Sequence, residues 1–279
     1  MSAAEVAVCG LGRMGTALAE ALARAGTAPV MWNRTPRPGA VASPAEAARG
    51  ARIVVLVLFD AAASHDVLAQ VREGATPGTL VVNCATVAPG ESRALADEAE
   101  AGGLRYVEAP LIGSVPKVRE GGLRILAGGA PADVAEAGRV LRVWSRTGEL
   151  RRTGPVGSAT ALKLVANLGL GLAAAGLREA LAYGAALGVP RADVIATLAA
   201  GHLAPFVVAK GERLAREEYG HADFTVAALA KDLRLVASQT PGLPVAQAAA
   251  GLLARYAAAD GGAGGGLDVA ALGAASRTG

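Results

Sequence analysis

The sequence predicts an α/β unit with a mostly parallel, doubly wound sheet, followed by an all-helical unit entered through one long helix. Three observations carry that expectation. Short apolar runs alternate with helix-like segments through the first half of the chain, a glycine-rich turn closes the first run, and no strand-like run follows Gly154-Pro155. Strands and helices alternating at this spacing give a parallel sheet with right-handed crossovers. The boundary is expected near residue 156, dividing 1–156 from 157–279.

The elements read in order as follows. Residues 5–9 are an apolar run, then a glycine turn, then an Ala/Leu-rich helix up to Arg24. Residues 28–32 form a second strand, ended by Asn33-Arg34-Thr35 and by Pro36 and Pro38. A helix around Pro44 to Arg49 precedes a third strand, Ile53 to Leu58; a helix over 64–72 precedes a fourth, Thr79 to Asn83. Helix 90–102 leads into Arg105 to Glu108; Leu123 to Ala127 is a further strand, and Val140 to Trp144 another short element. From Ser158 to about Leu187 one proline-free Ala/Leu segment runs to the stop signals Gly188 and Pro190. Residues 191–257 read as helices broken at Pro205 and at Pro241 to Pro244, and Gly261 to Gly266 reads as a flexible loop.

Composition narrows the class. At 279 residues the chain suits two cores, and with 52% apolar but only 3% aromatic residues those cores are built from Ala, Val and Leu. A formal charge of +3 is mild, and Arg151-Arg152 is the longest purely basic run, so no stripe for nucleic acid is expected. Cys9 and Cys84 both lie in apolar runs and are expected to be buried, reduced thiols. The longest apolar run, Leu164 to Leu177, contains Asn167 and falls short of the roughly 20 residues a membrane span needs. With no readable signal peptide, the expectation is a cytoplasmic protein without a membrane or nucleic-acid partner. His65, His202 and His221 show no metal-ligand spacing, and His65 reads as a solvated loop residue.

The turn Gly10-Leu11-Gly12-Arg13-Met14-Gly15 fits G-x-G-x-x-G in the strand–turn–helix context that the pattern requires. Gly10 allows the tight turn, Gly12 lets backbone approach a pyrophosphate, and Gly15 lets helix and strand pack closely. The helix N-terminus then offers unpaired N–H groups to the phosphates. An acidic residue after the second strand would favour NAD, because it accepts from the ribose 2′-OH and repels a 2′-phosphate. The chain has Asn33-Arg34-Thr35 there instead, with Arg37 nearby, so NADP(H) is the expected cofactor. Leu58, closing the third strand, is a further candidate cofactor contact.

With these motifs the sequence resembles the β-hydroxyacid dehydrogenase superfamily, which includes 3-hydroxyisobutyrate dehydrogenases and glyoxylate/succinic semialdehyde reductases. Ala85-Thr86-Val87-Ala88-Pro89 resembles the S-T-x-x-P loop whose threonine contacts the cofactor. Glu108-Ala109-Pro110-Leu111-Ile112-Gly113-Ser114 resembles the substrate loop D/E-A-P-V-S-G-G/S. Gly154 to Gly157, followed by Lys163 and Asn167, resembles G-x-x-G-x-G-x-x-x-K-x-x-N-N, and Lys231-Asp232-Leu233 resembles the K-D-L signature. The resemblance implies a Rossmann domain, an all-helical domain and a dimer or tetramer. It implies Lys163 as the catalytic lysine and Asn167, one turn further on the same face, as its orienting partner. It also implies that Lys231 reaches the cofactor, that Asp232 holds that lysine, and that Ile112, Gly113, Ser114 and Asp232 meet a small substrate.

Residue chemistry supports the same roles. Hydride delivery to a carbonyl carbon builds negative charge on oxygen, which a nearby ammonium stabilises and protonates. Lys163 stands among Ala, Leu and Val, where desolvation is expected to lower its pKa. Taken alone, a lysine near a helix start also fits a snorkelling surface residue. Three positions depart from the family pattern. The substrate-loop serine is Ile112, the S-T-x-x-P serine is Ala85, and the third glycine before the lysine is Ala159. Ile112 removes a polar anchor for a carboxylate, and Lys117 or Arg119 is a candidate replacement. Imine reductases are relatives with an apolar substrate loop, but their lysine position is usually Asp or Tyr, so Lys163 favours carbonyl reduction. A catalytically idle NADPH-binding scaffold is the remaining alternative.

Overall fold

The computed structural model describes residues 5–274. The chain divides into two compact units between Lys163 and Leu164. The first is an eight-stranded sheet with helices on both faces, a Rossmann-like architecture. Strands β1 (Val6–Cys9), β2 (Val30–Trp32), β3 (Ile53–Leu56), β4 (Leu80–Asn83) and β5 (Arg105–Glu108) are parallel, in the order β2-β1-β3-β4-β5. β7 (Arg124–Gly129) then runs antiparallel to both β5 and the two-residue β6 (Leu111–Ile112), and β8 (Glu149–Gly154) pairs parallel with β7.

The period-2 alternation of strand side chains sorts this sheet into two cores. Val6, Val8, Ile53, Val55, Leu80, Val82 and Val107 face one way. They meet α1 (Arg13–Arg24) and α6 (Pro131–Trp144), where the Trp144 indole donates to the Leu18 carbonyl at 3.1 Å. Ala7, Cys9, Val54, Leu56, Val81 and Tyr106 face the other way, onto α2 (Pro44–Ala48), α3 (Ala61–Gly74) and α4 (Pro89–Ala101). Both thiols are free and buried, and burial pushes each up to about 12, which keeps them as inert thiols.

The second unit is helical. It takes in α7 (Ser158–Ala186) from Leu164 onward, then α8 (Arg191–Ala200), α9 (Ala204–Arg216), α10 (Val226–Gln239) and α11 (Pro244–Ala258), and two 3₁₀ segments. Ala174, Leu177 and Leu181 of α7 join Phe206, Leu214, Leu229, Leu233, Leu253 and Tyr256 in one core. Buried Asp268 caps the last 3₁₀ segment through the Ala270 N–H at 2.9 Å and pairs with Lys210 at 3.0 Å.

Six sequence expectations change. Val140 to Trp144 is the last turn of α6, and β8 is an added strand whose polar ELRRTG sequence reflects an exposed edge. A short α5 (Val115–Glu120) also stands in the substrate loop. Pro205 starts α9 instead of breaking it, because the first turn of a helix tolerates a missing N–H. Residues 259–266 are a 3₁₀ segment kinked at Asp260 to Gly262, with Gly264 and Gly265 packed where a loose loop was expected. An added Cβ on Gly264 would stand 2.2 Å from the Tyr256 carbonyl oxygen, so glycine here allows close approach. Finally, α7 spans 29 residues and holds an 18-residue window with a mean hydropathy of 1.5, so by length and composition it could cross a membrane, unlike its apolar run Leu164 to Leu177 alone.

Candidate functional site: a glycine turn and a buried lysine

The glycine turn has the geometry its sequence promised. Gly10 takes φ +104, and an added Cβ would sit 2.3 Å from the Val57 carbonyl oxygen; at Gly15 it would lie 1.8 Å from the Gly10 carbonyl oxygen. Gly12 differs. It has φ −65 and nothing within 4 Å of an added Cβ, so no internal contact demands a glycine. The open space beside it, at the N-terminus of α1, is what close approach of a pyrophosphate requires. Leu11 is buried, while Arg13 is exposed and Met14 half-buried. The residues present therefore fit a dinucleotide.

Asn33, named above as part of the cofactor site, has a structural task in the turn. Its Oδ1 accepts from the Leu11 N–H at 2.8 Å, and its Nδ2 donates to the Thr35 carbonyl at 2.8 Å. It thus pins the end of β2 to the glycine turn. Arg34, Thr35 and Arg37 are exposed, and neither arginine makes an ion pair among the described residues. Leu58 is half-buried after β3, beside Phe59, a 52% exposed ring that the sequence reading passed over.

The loop carrying Thr86 is fastened at both ends. The Ala85 N–H donates to Asn83 Oδ1 at 3.0 Å, and the Ala88 N–H to Glu91 Oε2 at 2.7 Å. In the substrate loop Ile112 and Ser114 are half-buried and Gly113 is exposed with φ +135. Lys117, one candidate to replace the missing serine, is paired with Glu120 at 2.7 Å on the exposed side of α5. His65 lies on α3 rather than in a loop, with Nδ1 2.6 Å from Glu98 Oε2. No metal-binding cluster exists among the described residues.

Lys163 and Asn167 sit one turn apart on the buried stripe of α7, at 9% and 4% exposure. A stripe that buries an ammonium and a carboxamide among Ala and Leu carries a cost that a surface lysine would not. In the helical unit, Asn167 Nδ2 donates to Asp232 Oδ2 at 2.5 Å, and Asp232 Oδ1 lies 2.7 Å from Lys231 Nζ. That second contact is an ion pair rather than an aligned hydrogen bond, and it leaves Asp232 Oδ1 without one. Lys231 and Asp232 are both buried on α10. The two signatures, widely separated in sequence, thus join through Asn167 and Asp232.

Comparison with known proteins identifies the family. The family model for the NAD binding domain of 6-phosphogluconate dehydrogenase matches residues 5–153, and the model described as NAD-binding of NADP-dependent 3-hydroxyisobutyrate dehydrogenase matches 157–274. An uncharacterized oxidoreductase of Synechocystis sp. is 31% identical over 254 residues, covering 85% of this chain and 86% of the relative. The 3-hydroxyisobutyrate dehydrogenase of Pseudomonas aeruginosa is 32% identical over 196 residues, 64% of each chain. Among solved structures, the Mycobacterium tuberculosis 3-hydroxyisobutyrate dehydrogenase with L-serine superposes at a TM-score of 0.82, with 22% identity and coverage of 96% and 97%. A reductive aminase from Aspergillus terreus in complex with NADPH superposes at 0.64, with 24% identity and coverage of 96% and 98%. The chain belongs to the β-hydroxyacid dehydrogenase superfamily, as an NAD(P)-dependent oxidoreductase of the 3-hydroxyisobutyrate dehydrogenase family.

Proposed function

We propose that this chain is an NADP(H)-dependent reductase of a small aldehyde or keto acid, with Lys163 as general acid and Asn167 as its orienting partner. The observation that carries the reading is the buried stripe of α7, where Lys163 and Asn167 replace the apolar residues the helix uses elsewhere. When bound, the dihydronicotinamide supplies the hydride. Lys163 stabilises the negative charge that grows on the carbonyl oxygen and delivers the proton. Asp232 restrains the Asn167 carboxamide, and Lys231 neutralises that carboxylate. Arg34, with Arg37 nearby and no acidic residue at the end of β2, supports a 2′-phosphate over a bare ribose. We further propose a cytoplasmic homodimer or homotetramer.

Ile112 favours a second reading. A half-buried apolar side chain where the family places serine suits a substrate without a carboxylate, such as an imine. Initial rates with NADPH and with NADH, against glyoxylate, succinic semialdehyde and a cyclic imine, separate these readings. NADPH is expected to win by at least tenfold in kcat/KM, about 1.4 kcal/mol; equal rates overturn the nucleotide assignment. Faster turnover of the imine favours the second reading, and tight NADPH binding without turnover indicates a scaffold. Lys163→Ala is expected to lower kcat roughly 1000-fold with NADPH binding retained; unchanged turnover removes the lysine from the mechanism.

A further inference from the structure

We propose that Glu108 is a positioning residue for Lys163: its buried carboxylate clamps the first turn of α7 and thereby fixes where the lysine stands. The proposal rests on the catalytic reading of Lys163. Glu108 closes β5 and is 2% exposed. Its Oε1 accepts from the backbone N–H groups of Gly157 and Ala159, at 2.8 and 2.7 Å. Those two donors sit at the very start of α7, where intrahelical partners are lacking and negative charge is favoured. Ala159 precedes Lys163 by one helical turn, a rise of about 6 Å along the axis. A tilt or slip of that first turn moves the ammonium with it.

The other carboxylate oxygen is held by a chain of donors that all point toward Glu108. Ser92 Oγ donates to Oε2 at 2.6 Å. With its one proton spent there, Ser92 Oγ can only accept from the Tyr106 hydroxyl, 3.4 Å away. The Tyr106 oxygen in turn accepts from Asn83 Nδ2 at 3.0 Å. Desolvation pushes the Tyr106 phenol up to about 12, so it remains a neutral donor across the working pH range. Asn83 is the residue whose Oδ1 holds the Ala85 N–H, so the chain begins at the loop that carries Thr86. One buried network therefore ties that loop and the start of α7 to the carboxyl ends of β4 and β5.

The surrounding backbone makes room for this clamp. A Cβ on Gly128 would stand 2.4 Å from Glu108 Oε1 and 3.0 Å from the Pro155 carbonyl oxygen. Gly157 presents its N–H from φ +97, a conformation that disfavours any side chain. A carboxylate whose task were only to fill a hole would not need two glycines and a line of three donors. Charge-assisted bonds of this kind are short and directional, which suits fixing a position.

The test compares Glu108→Gln, Ser92→Ala and Lys163→Ala in the full chain, with NADPH and the best substrate of the panel above. Glu108→Gln keeps the size but removes the negative charge facing α7 and turns one of the two acceptor oxygens into an amide donor. Its kcat is expected to fall roughly ten- to a hundredfold, while KM and the NADPH dissociation constant stay within about twofold. The primary isotope effect on kcat with NADPH deuterated at the transferred position is expected to rise, because the chemical step becomes slower. Ser92→Ala leaves the carboxylate in place and should give a smaller loss with the same signature; it decides the matter if Glu108→Gln does not fold. An unchanged kcat overturns the proposal. So does a loss in kcat matched by equal losses in NADPH affinity and melting temperature, which would make Glu108 a general scaffold residue. If Lys163→Ala retains turnover, the catalytic reading itself falls. If Lys163→Ala is inert while Glu108→Gln is normal, only the clamp falls.

Discussion

At the scale of single residues, two glycines of one motif do separable jobs, and substitution can tell them apart. An alanine at Gly15 would drive its Cβ to 1.8 Å from the Gly10 carbonyl oxygen, whereas an alanine at Gly12 meets nothing within 4 Å. Gly15→Ala should therefore destabilise the protein by roughly 2 kcal/mol, read as a lowered melting temperature. Gly12→Ala should melt like the parent but bind NADPH at least about tenfold more weakly. Parent-like affinity in Gly12→Ala would remove the phosphate approach from that position. The turn was legible because Gly10 and Gly15 answer local backbone demands and Gly12 completes the spacing between them, and Lys163 and Asn167 because their spacing puts them on one helix face. Asn33 was legible only as a polar residue. Its bonds to the Leu11 N–H and the Thr35 carbonyl depend on how β1 and β2 lie side by side. Glu108 stood inside a recognised motif, yet its partners at positions 92, 157 and 159, and residues 83 and 106 behind Ser92, form no periodic pattern and meet only in the folded sheet.

At the scale of elements, α6 is fastened to the sheet by charge as well as by its apolar face. Glu136 takes the Arg105 guanidinium at 2.8 Å and that of Arg52 at 2.6 Å. The Arg105 and Arg52 guanidinium groups hold its carboxyl down at about 2, from an ordinary 4.5. A depressed carboxylate contributes stability above its unfolded pKa and loses it as pH falls through the folded value. The contribution is thus present at neutral pH and disappears between about 4.5 and 2. Both arginines are partly exposed, so solvent screening limits the effect to about 1 kcal/mol. Glu136→Gln should lower neutral-pH stability by about that amount and show a shallower acid loss in denaturant titrations; parallel curves for the two proteins would refute it. Elements with a strong period were readable from sequence, as with β1, β3, β4 and α7. β8 was not, since the edge strand Glu149–Gly154 presents arginines where a core strand would present valines.

At the scale of the whole molecule, α7 poses the question of what covers it. Its apolar 18-residue window, with a mean hydropathy of 1.5, is only 39% buried within the chain. Val165 and Tyr183 are 65% and 68% exposed on this helix, Leu187 in the turn just after it is 62% exposed, and Val208 of α9 and Val245 of α11 are 67% and 65% exposed. Soluble monomers rarely leave so much apolar helix facing water. Two environments satisfy such a surface: hydrocarbon, or the same surface on a second chain related by a two-fold axis. The buried Lys163 and Asn167 argue against hydrocarbon, because the helix already carries two polar side chains within the stretch that would cross. Light scattering coupled to gel filtration is expected to give at least twice the mass of one chain, without detergent. Tyr183→Glu, placing a charge on the exposed face, should shift that mass toward the monomer while the circular dichroism of the helices persists. A parent protein that runs as a monomer in buffer, or that requires detergent or vesicles to stay dispersed, would overturn the assignment of this face to a second copy.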